Sequence, residues 1–233
     1  MLNELDKLLE KKENQKKAII MQRFFKTGKG EYGEGDIFLG ITVPEQRKIA
    51  KEFLNLHYVD LQSLLESKIH EKRLISLLIL VEKYKKADNK NKSDIVKFYL
   101  QNAKNINNWD LVDLSASKIL GEYLLDKNRN ILYKLAKSNN IWERRISIIS
   151  TYAFIKNNEY DDTLKISKIL LRDRHDLIQK AVGWMLREMG KKNIKLLESF
   201  LKKHIKNISR TSLRYSIEKM SENKRKYYLK LEK

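Results

Sequence analysis

The sequence predicts an all-α protein, a right-handed α-solenoid of stacked helix pairs with a concave basic face. Three observations carry that prediction. Proline occurs once and glycine eight times in 233 residues, so few positions force a helix to stop. Apolar residues recur at three- and four-residue spacing almost throughout, as in Ile75, Leu78 and Ile79 or Ile166, Ile169 and Leu170, while alternation of the strand kind is nearly absent. Short polar links punctuate the pattern at regular intervals, which gives about a dozen helices of ordinary length.

Residues 18–26 read as helix. A glycine-rich stretch follows, with five of the eight glycines between Gly28 and Gly40. Gly28-Lys29-Gly30-Glu31-Tyr32-Gly33 matches a dinucleotide-binding pattern in letters only, because that motif needs a strand before it and a helix directly after it. A loop is the expectation. The loop ends at Thr42-Val43-Pro44-Glu45, where Thr42 and Glu45 have the spacing of a capping box and the lone proline falls in the first helical turn. This helix start can be a simple cap or can receive a phosphate. Polar links at residues 104–108, 127–130, 138–140 and 156–158 then separate helices. One helix pair spans residues 140–176 and the preceding pair begins near Asn105. That period suits paired-helix repeats of the HEAT or armadillo type. The whole chain, residues 1–233, is expected to form one domain.

The formal net charge is +19, from 49 Lys and Arg against 30 Asp and Glu. Such an excess draws in polyanions, although a generally lysine-rich proteome gives the same balance. Residues 189–233 are the most basic stretch, with Lys202, Lys203, Lys206, Arg210 and Arg214 spaced along one face. The chain has no cysteine, which excludes disulfides, thiolate nucleophiles and thiolate metal sites. No apolar run has the ~18 residues of a membrane span, and the first residues lack the apolar stretch of a signal peptide. A soluble cytoplasmic protein with no membrane partner is expected.

Few residues are candidates for chemistry. The four histidines, His57, His70, His175 and His204, are scattered without metal-ligand spacing. There is no Walker sequence and no triad pattern, so a carboxylate is the best acid, base or electrostatic group. Trp109 and Asp113 are four residues apart and share a helix face. Two readings stand open: a core tryptophan beside a solvated aspartate, or a site for a cationic group on a polyanion. Asp110 reads as a first-turn carboxylate favoured by the helix dipole. Arg144 and Arg145 follow Trp142 and precede an apolar run, so one of them must point inward. Gly183 beside Trp184 allows close helix packing, which fits a core tryptophan as well as a functional one.

Several separated segments together resemble the bacterial DNA alkylation repair glycosylases of the AlkD type, which are built from HEAT-like repeats. They are residues 38–47, Trp109-Asp110-Leu111-Val112-Asp113, Asn140-Ile141-Trp142-Glu143-Arg144-Arg145, residues 178–188 and Ile208-Ser209-Arg210. The resemblance implies that Asp113 is the catalytic aspartate and that Trp109, Arg145 and Trp184 contact the DNA at the lesion. Arg144, Lys180, Arg187 and Arg210, within the same segments, are further candidate DNA contacts. Thr42 stands where the best-known member has a glutamine near the lesion, and residues 28–36 form a longer, more charged loop than in that member. Both departures bear on substrate choice rather than reaction type.

By resemblance, the protein acts as a monomer on duplex DNA containing alkylated bases, with no metal or cofactor. It would release cationic alkylpurines such as 3-methyladenine and 7-methylguanine without a deep base-flipping pocket. A non-catalytic relative that binds damaged or structured DNA, and a protein-interaction scaffold, are the rival readings.

Overall fold

Apolar spacing of three and four residues becomes helix from Leu2 onward. The computed structural model describes residues 1–231. It contains helices α1 (Leu2–Lys12), α2 (Gln15–Phe24), α3 (Val43–Glu52), α4 (Tyr58–Leu65), α5 (His70–Lys86), α6 (Asn89–Gln101), α7 (Trp109–Ala116), α8 (Asn130–Leu135), α9 (Ile141–Lys156), α10 (Asp161–Leu170), α11 (Asp176–Lys192), α12 (Ile194–His204), α13 (Arg210–Ser216) and α14 (Glu222–Leu231). A 3-10 turn, Ala103–Asn105, precedes α7, and a π-helical segment, Ser117–Gly121, follows it. Among the described residues the sole β feature is one isolated parallel bridge between Ile37 and Ile69. None of their helices is long and apolar enough to cross a membrane. The all-α class read from the sequence is the class observed.

The chain divides into two compact units, Met1–Ser115 and Ala116 onward. In the N-terminal unit, α5 is the central helix and packs against α3, α4 and α6. Its residues Leu74, Ile75, Leu77, Leu78, Ile79, Leu80 and Val81 are all buried, so the helix is covered on nearly every side. In the C-terminal unit, α9 packs on α8, α10 and α11, and α11 packs in turn on α10, α12 and α13. Each long helix thus has a short one on either side of it in sequence.

The repeat is legible in hydrogen bonds where it is faint in sequence. Ser76 on α5 donates to the Leu61 carbonyl on α4, and Ser147 on α9 donates to Leu132 on α8; both bonds span fifteen residues. Arg73 Nη1 donates to the Ser67 carbonyl and Arg144 Nη1 to that of Ser138, both over six residues. Gln179 Nε2 repeats that six-residue bond once more, to the Asp173 carbonyl. The serine bonds tie a long helix to the short helix before it, and the Arg73, Arg144 and Gln179 bonds tie it to the link before it. The polar links mark helix ends, but these bonds join α8 to α9 across the pair boundary expected near Asn140.

Local rules explain the boundaries. Asn14, Asp88 and Asn193 cap α2, α6 and α12 through their side chains. Thr42 and Glu45 form the predicted box, with Thr42 N–H and Oγ1 both donating to Glu45 Oε2 at 3.0 and 2.5 Å. Glu45 is consequently held below the usual carboxylate range. Gly40, at φ +81°, lies so close to Asn14 that a Cβ would sit 2.2 Å from the Asn14 carbonyl oxygen; only glycine fits there.

Candidate active site in the N-terminal unit

The loop at residues 28–36 behaves as the sequence implied. Its amides are given to its own carboxylates: Gly28 N–H to Glu31 Oε2 at 3.0 Å and Gly30 N–H to Glu34 Oε2 at 2.8 Å. With no strand before it and its donors internally occupied, it is no phosphate cradle. Its far end is pinned to the start of α5, since Ile37 N–H donates to Lys68 and His70 N–H donates to Ile37.

Trp109 opens α7, and its own N–H donates to Asn108 Oδ1 at 2.8 Å. The indole is half-buried and lies parallel on Phe25, with ring centroids 5.0 Å apart and planes 8° apart. Phe25 stacks on Phe38 at 4.9 Å, and Phe24, 65% exposed, sets its edge to Trp109 at 5.9 Å. Ala18, Phe25 and Phe38 are the buried centre of this cluster, with Met21 and Trp109 packed against it. One face of Trp109 is therefore core and the remainder is accessible. Asp113, half-buried one turn further on, lies close enough to Tyr99 to oppose its ionisation. Complete burial is the larger cause, and together they push the Tyr99 hydroxyl far above its usual range. That hydroxyl shares a 2.9 Å hydrogen bond with Ser115.

Beneath Trp109 lies a cluster that spacing did not disclose. His70 is buried, with Nε2 2.8 Å from Asp110 Oδ2 and Nδ1 3.3 Å from Asp36 Oδ2. Arg73 Nη2 reaches Asp36 Oδ2 at 2.7 Å, and Asn108 Nδ2 donates to the same oxygen at 3.2 Å. Burial alone would lower the His70 pKa, but the Asp110 charge and the bonds to both carboxylates carry it up to about 9. Burial likewise opposes Asp36 ionisation, yet His70 and Arg73 hold its carboxyl below the ordinary range. The first-turn role expected of Asp110 is thus only half of its function. Glu71, also buried, receives the N–H groups of Leu39, Gly40 and Ile41.

The other candidate residues lie in the C-terminal unit. Arg145 is the inward member of its pair, 5% exposed, with Nη1 donating to the Leu177 carbonyl on α11. Arg144 binds Asp173 through Nε at 2.7 Å and the carbonyls of Ser138 and Asn139 through Nη1. It occupies the repeat position of Arg73 and ties α9 to the links before α9 and α11. Trp184 on α11 is half-buried, donates its indole N–H to Glu188 at 3.2 Å and sits 6.4 Å from the Tyr152 ring. Lys180 pairs with Asp176 at 2.9 Å, and Arg187 pairs with Glu188 and Glu218. Arg210 is exposed at the start of α13, after Ser209, which caps that helix.

Residues 5–220 match the DNA alkylation repair enzyme family. The chain belongs to that family. The fold is similar to that of a predicted DNA alkylation repair enzyme from Enterococcus faecalis, at a TM-score of 0.69 and 18% identity over 90% of this chain and 97% of that one. A crystallised protein from Streptococcus mutans aligns over 99% of this chain and 96% of its own, at 17% identity and a TM-score of 0.49. No curated protein matches by sequence. This family member's role is DNA repair, and the all-α class expected of it is the one observed.

Proposed function

We propose that this protein is a monofunctional DNA glycosylase that hydrolyses the N-glycosidic bond of cationic N3- or N7-alkylated purines, 3-methyladenine and 7-methylguanine among them, in duplex DNA. One observation carries the reading: a carboxylate, Asp113, stands one turn from a half-buried, ring-stacked tryptophan on α7, in a DNA alkylation repair protein of charge +19.

Alkylation gives the base a positive charge. When the C1′–N bond breaks, its electron pair goes to the base, which leaves neutral, and the sugar gains oxocarbenium character. Asp113 stabilises that cation and orients water for attack at C1′; the water proton passes to the carboxylate or to solvent. Trp109 and Trp184 pack on the sugar–phosphate chain, where their ring faces favour positive charge. Arg145 supplies a fixed positive charge toward the phosphates, and Lys180, Arg187, Arg210 and the Thr42 helix start add backbone contacts. The weakened bond, rather than base-edge readout in a deep pocket, selects the lesion. The reaction as written uses no metal or cofactor, and a monomer acting in the cytoplasm suffices for it.

The test is base release from methylated duplex DNA by wild type and Asp113→Asn at equal DNA occupancy. A fall of about 10²–10³ in rate is expected for the variant, by analogy with other preorganised charges. Salt-sensitive binding with no release from either protein would instead favour a non-catalytic binder of damaged DNA.

A further inference from the structure

Resting on the glycosylase reading, we propose that His70 is a positioning residue: its buried side chain locks the first turn of α7, and through it Trp109 and Asp113, to the end of the 28–36 loop and to α5. Two connections run from the same ring. One is electrostatic, His70 bridging Asp110 on α7 and Asp36 at the loop end over 2.8 and 3.3 Å. The other is steric, since the imidazole stacks on Phe38 at 4.5 Å and lies 5.0 Å from Phe25, the ring that carries Trp109.

The charges balance only when His70 is protonated. Two carboxylates, Asp36 from the loop and Asp110 from α7, then face two cations, His70 and Arg73. Arg73 is the one other charged group on α5 turned into the cluster, because Glu71 faces the amides of residues 39–41. Asn108, Phe25 and Phe38 complete the surroundings and are neutral. As an imidazolium, His70 donates from both nitrogens and fits both acceptors. Loss of its proton leaves a buried net negative charge and withdraws one of those donors.

The repeat does not require this arrangement. Arg144 repeats the helix-linking bond of Arg73, yet the residue before its helix-linking turn that corresponds to His70 is the apolar Ile141. At the Gln179 turn the corresponding residue is Asp176, exposed and paired with Lys180, so of these three turns only the one that abuts Trp109 has a buried charged residue at this position.

The folded-state pKa of about 9 stands above the ordinary 6.5. The lock is therefore complete below about pH 6.5 and is released as pH rises through about 9. Trp109 fluorescence, read in a Trp142→Phe/Trp184→Phe protein from about pH 6 to about pH 10.5, should shift with a midpoint near 9 and lose that transition in His70→Gln. A flat titration, or the same transition in His70→Gln, overturns the proposal. In single-turnover base release, His70→Gln should be slower by about 10–100-fold, as expected for misplacement at a reacting centre, with helicity kept and DNA affinity changed less than about twofold. Unchanged rates overturn it as well. If the variant fails to fold, the titration of the protein that retains His70 decides alone. A wild type that releases no base defeats the glycosylase reading but leaves the fluorescence result to judge His70.

Discussion

Glu71 is the residue whose removal should be felt most sharply in the N-terminal unit. It is wholly buried, and its carboxylate accepts Gly40 N–H at 2.9 Å, Leu39 N–H at 3.0 Å and Ile41 N–H at 3.3 Å. Glu71→Ala strands two buried donors and one half-buried donor, and charge-assisted bonds left unmade cost the desolvation of each group. We expect about 3 kcal/mol of lost stability, seen as a lower midpoint in urea denaturation. Removing an exposed carboxylate such as Glu10 would cost less than about 0.5 kcal/mol. The Thr42–Glu45 box was legible because its partners are three residues apart. Glu71 was not, because the amides that donate to it lie about thirty residues away and look like an ordinary loop.

At the scale of helices, close approach decides the packing. Gly183 was expected to bring α11 near a neighbour, and it does: a Cβ there would lie 2.5 Å from Tyr215 Cβ and 2.6 Å from the Ser212 carbonyl oxygen on α13. Ser212 Oγ also donates to the Gln179 carbonyl at 2.8 Å, tying the same two helices. Gly183→Ala must push α13 away, and overpacking of this kind costs about 1–3 kcal/mol. A lower thermal unfolding midpoint checks it. An unchanged midpoint would mean that the α11–α13 contact yields without strain. Arg144 shows where helix-level reading falls short. The apolar run after it required one of two arginines to turn inward, but nothing local said that the other would clamp Asp173 and two link carbonyls.

Across the whole molecule, the property that matters for a DNA repair protein is charge. An excess of 19 positive charges makes duplex DNA binding depend on counterion release, with a log–log salt slope of about −0.9 per phosphate neutralised. If about six phosphates are contacted, affinity should fall by about 10³-fold between roughly 50 and 200 mM salt. Asp113→Asn should leave that slope unchanged, since a carboxylate placed for the sugar cation neutralises no phosphate. Filter binding or fluorescence anisotropy over a salt series measures both, and a slope near zero would remove the backbone-driven binding on which the proposed selectivity depends.

The sequence by itself determined what local physics governs. Helical spacing, side-chain caps, the glycine that permits a close crossing and the net charge all act within a few residues or without regard to position. Asp113 and Trp109 share a helix face for the same reason, being one turn apart. Tertiary structure alone decided what lies beneath that face. Asn108 meets Asp36 across 72 residues, His70 meets Asp110 across 40, and Arg144 meets Asp173 across 29. Such partners have no period to betray them. They are chosen when burial strips water from charged groups and leaves each one stable only beside its complement.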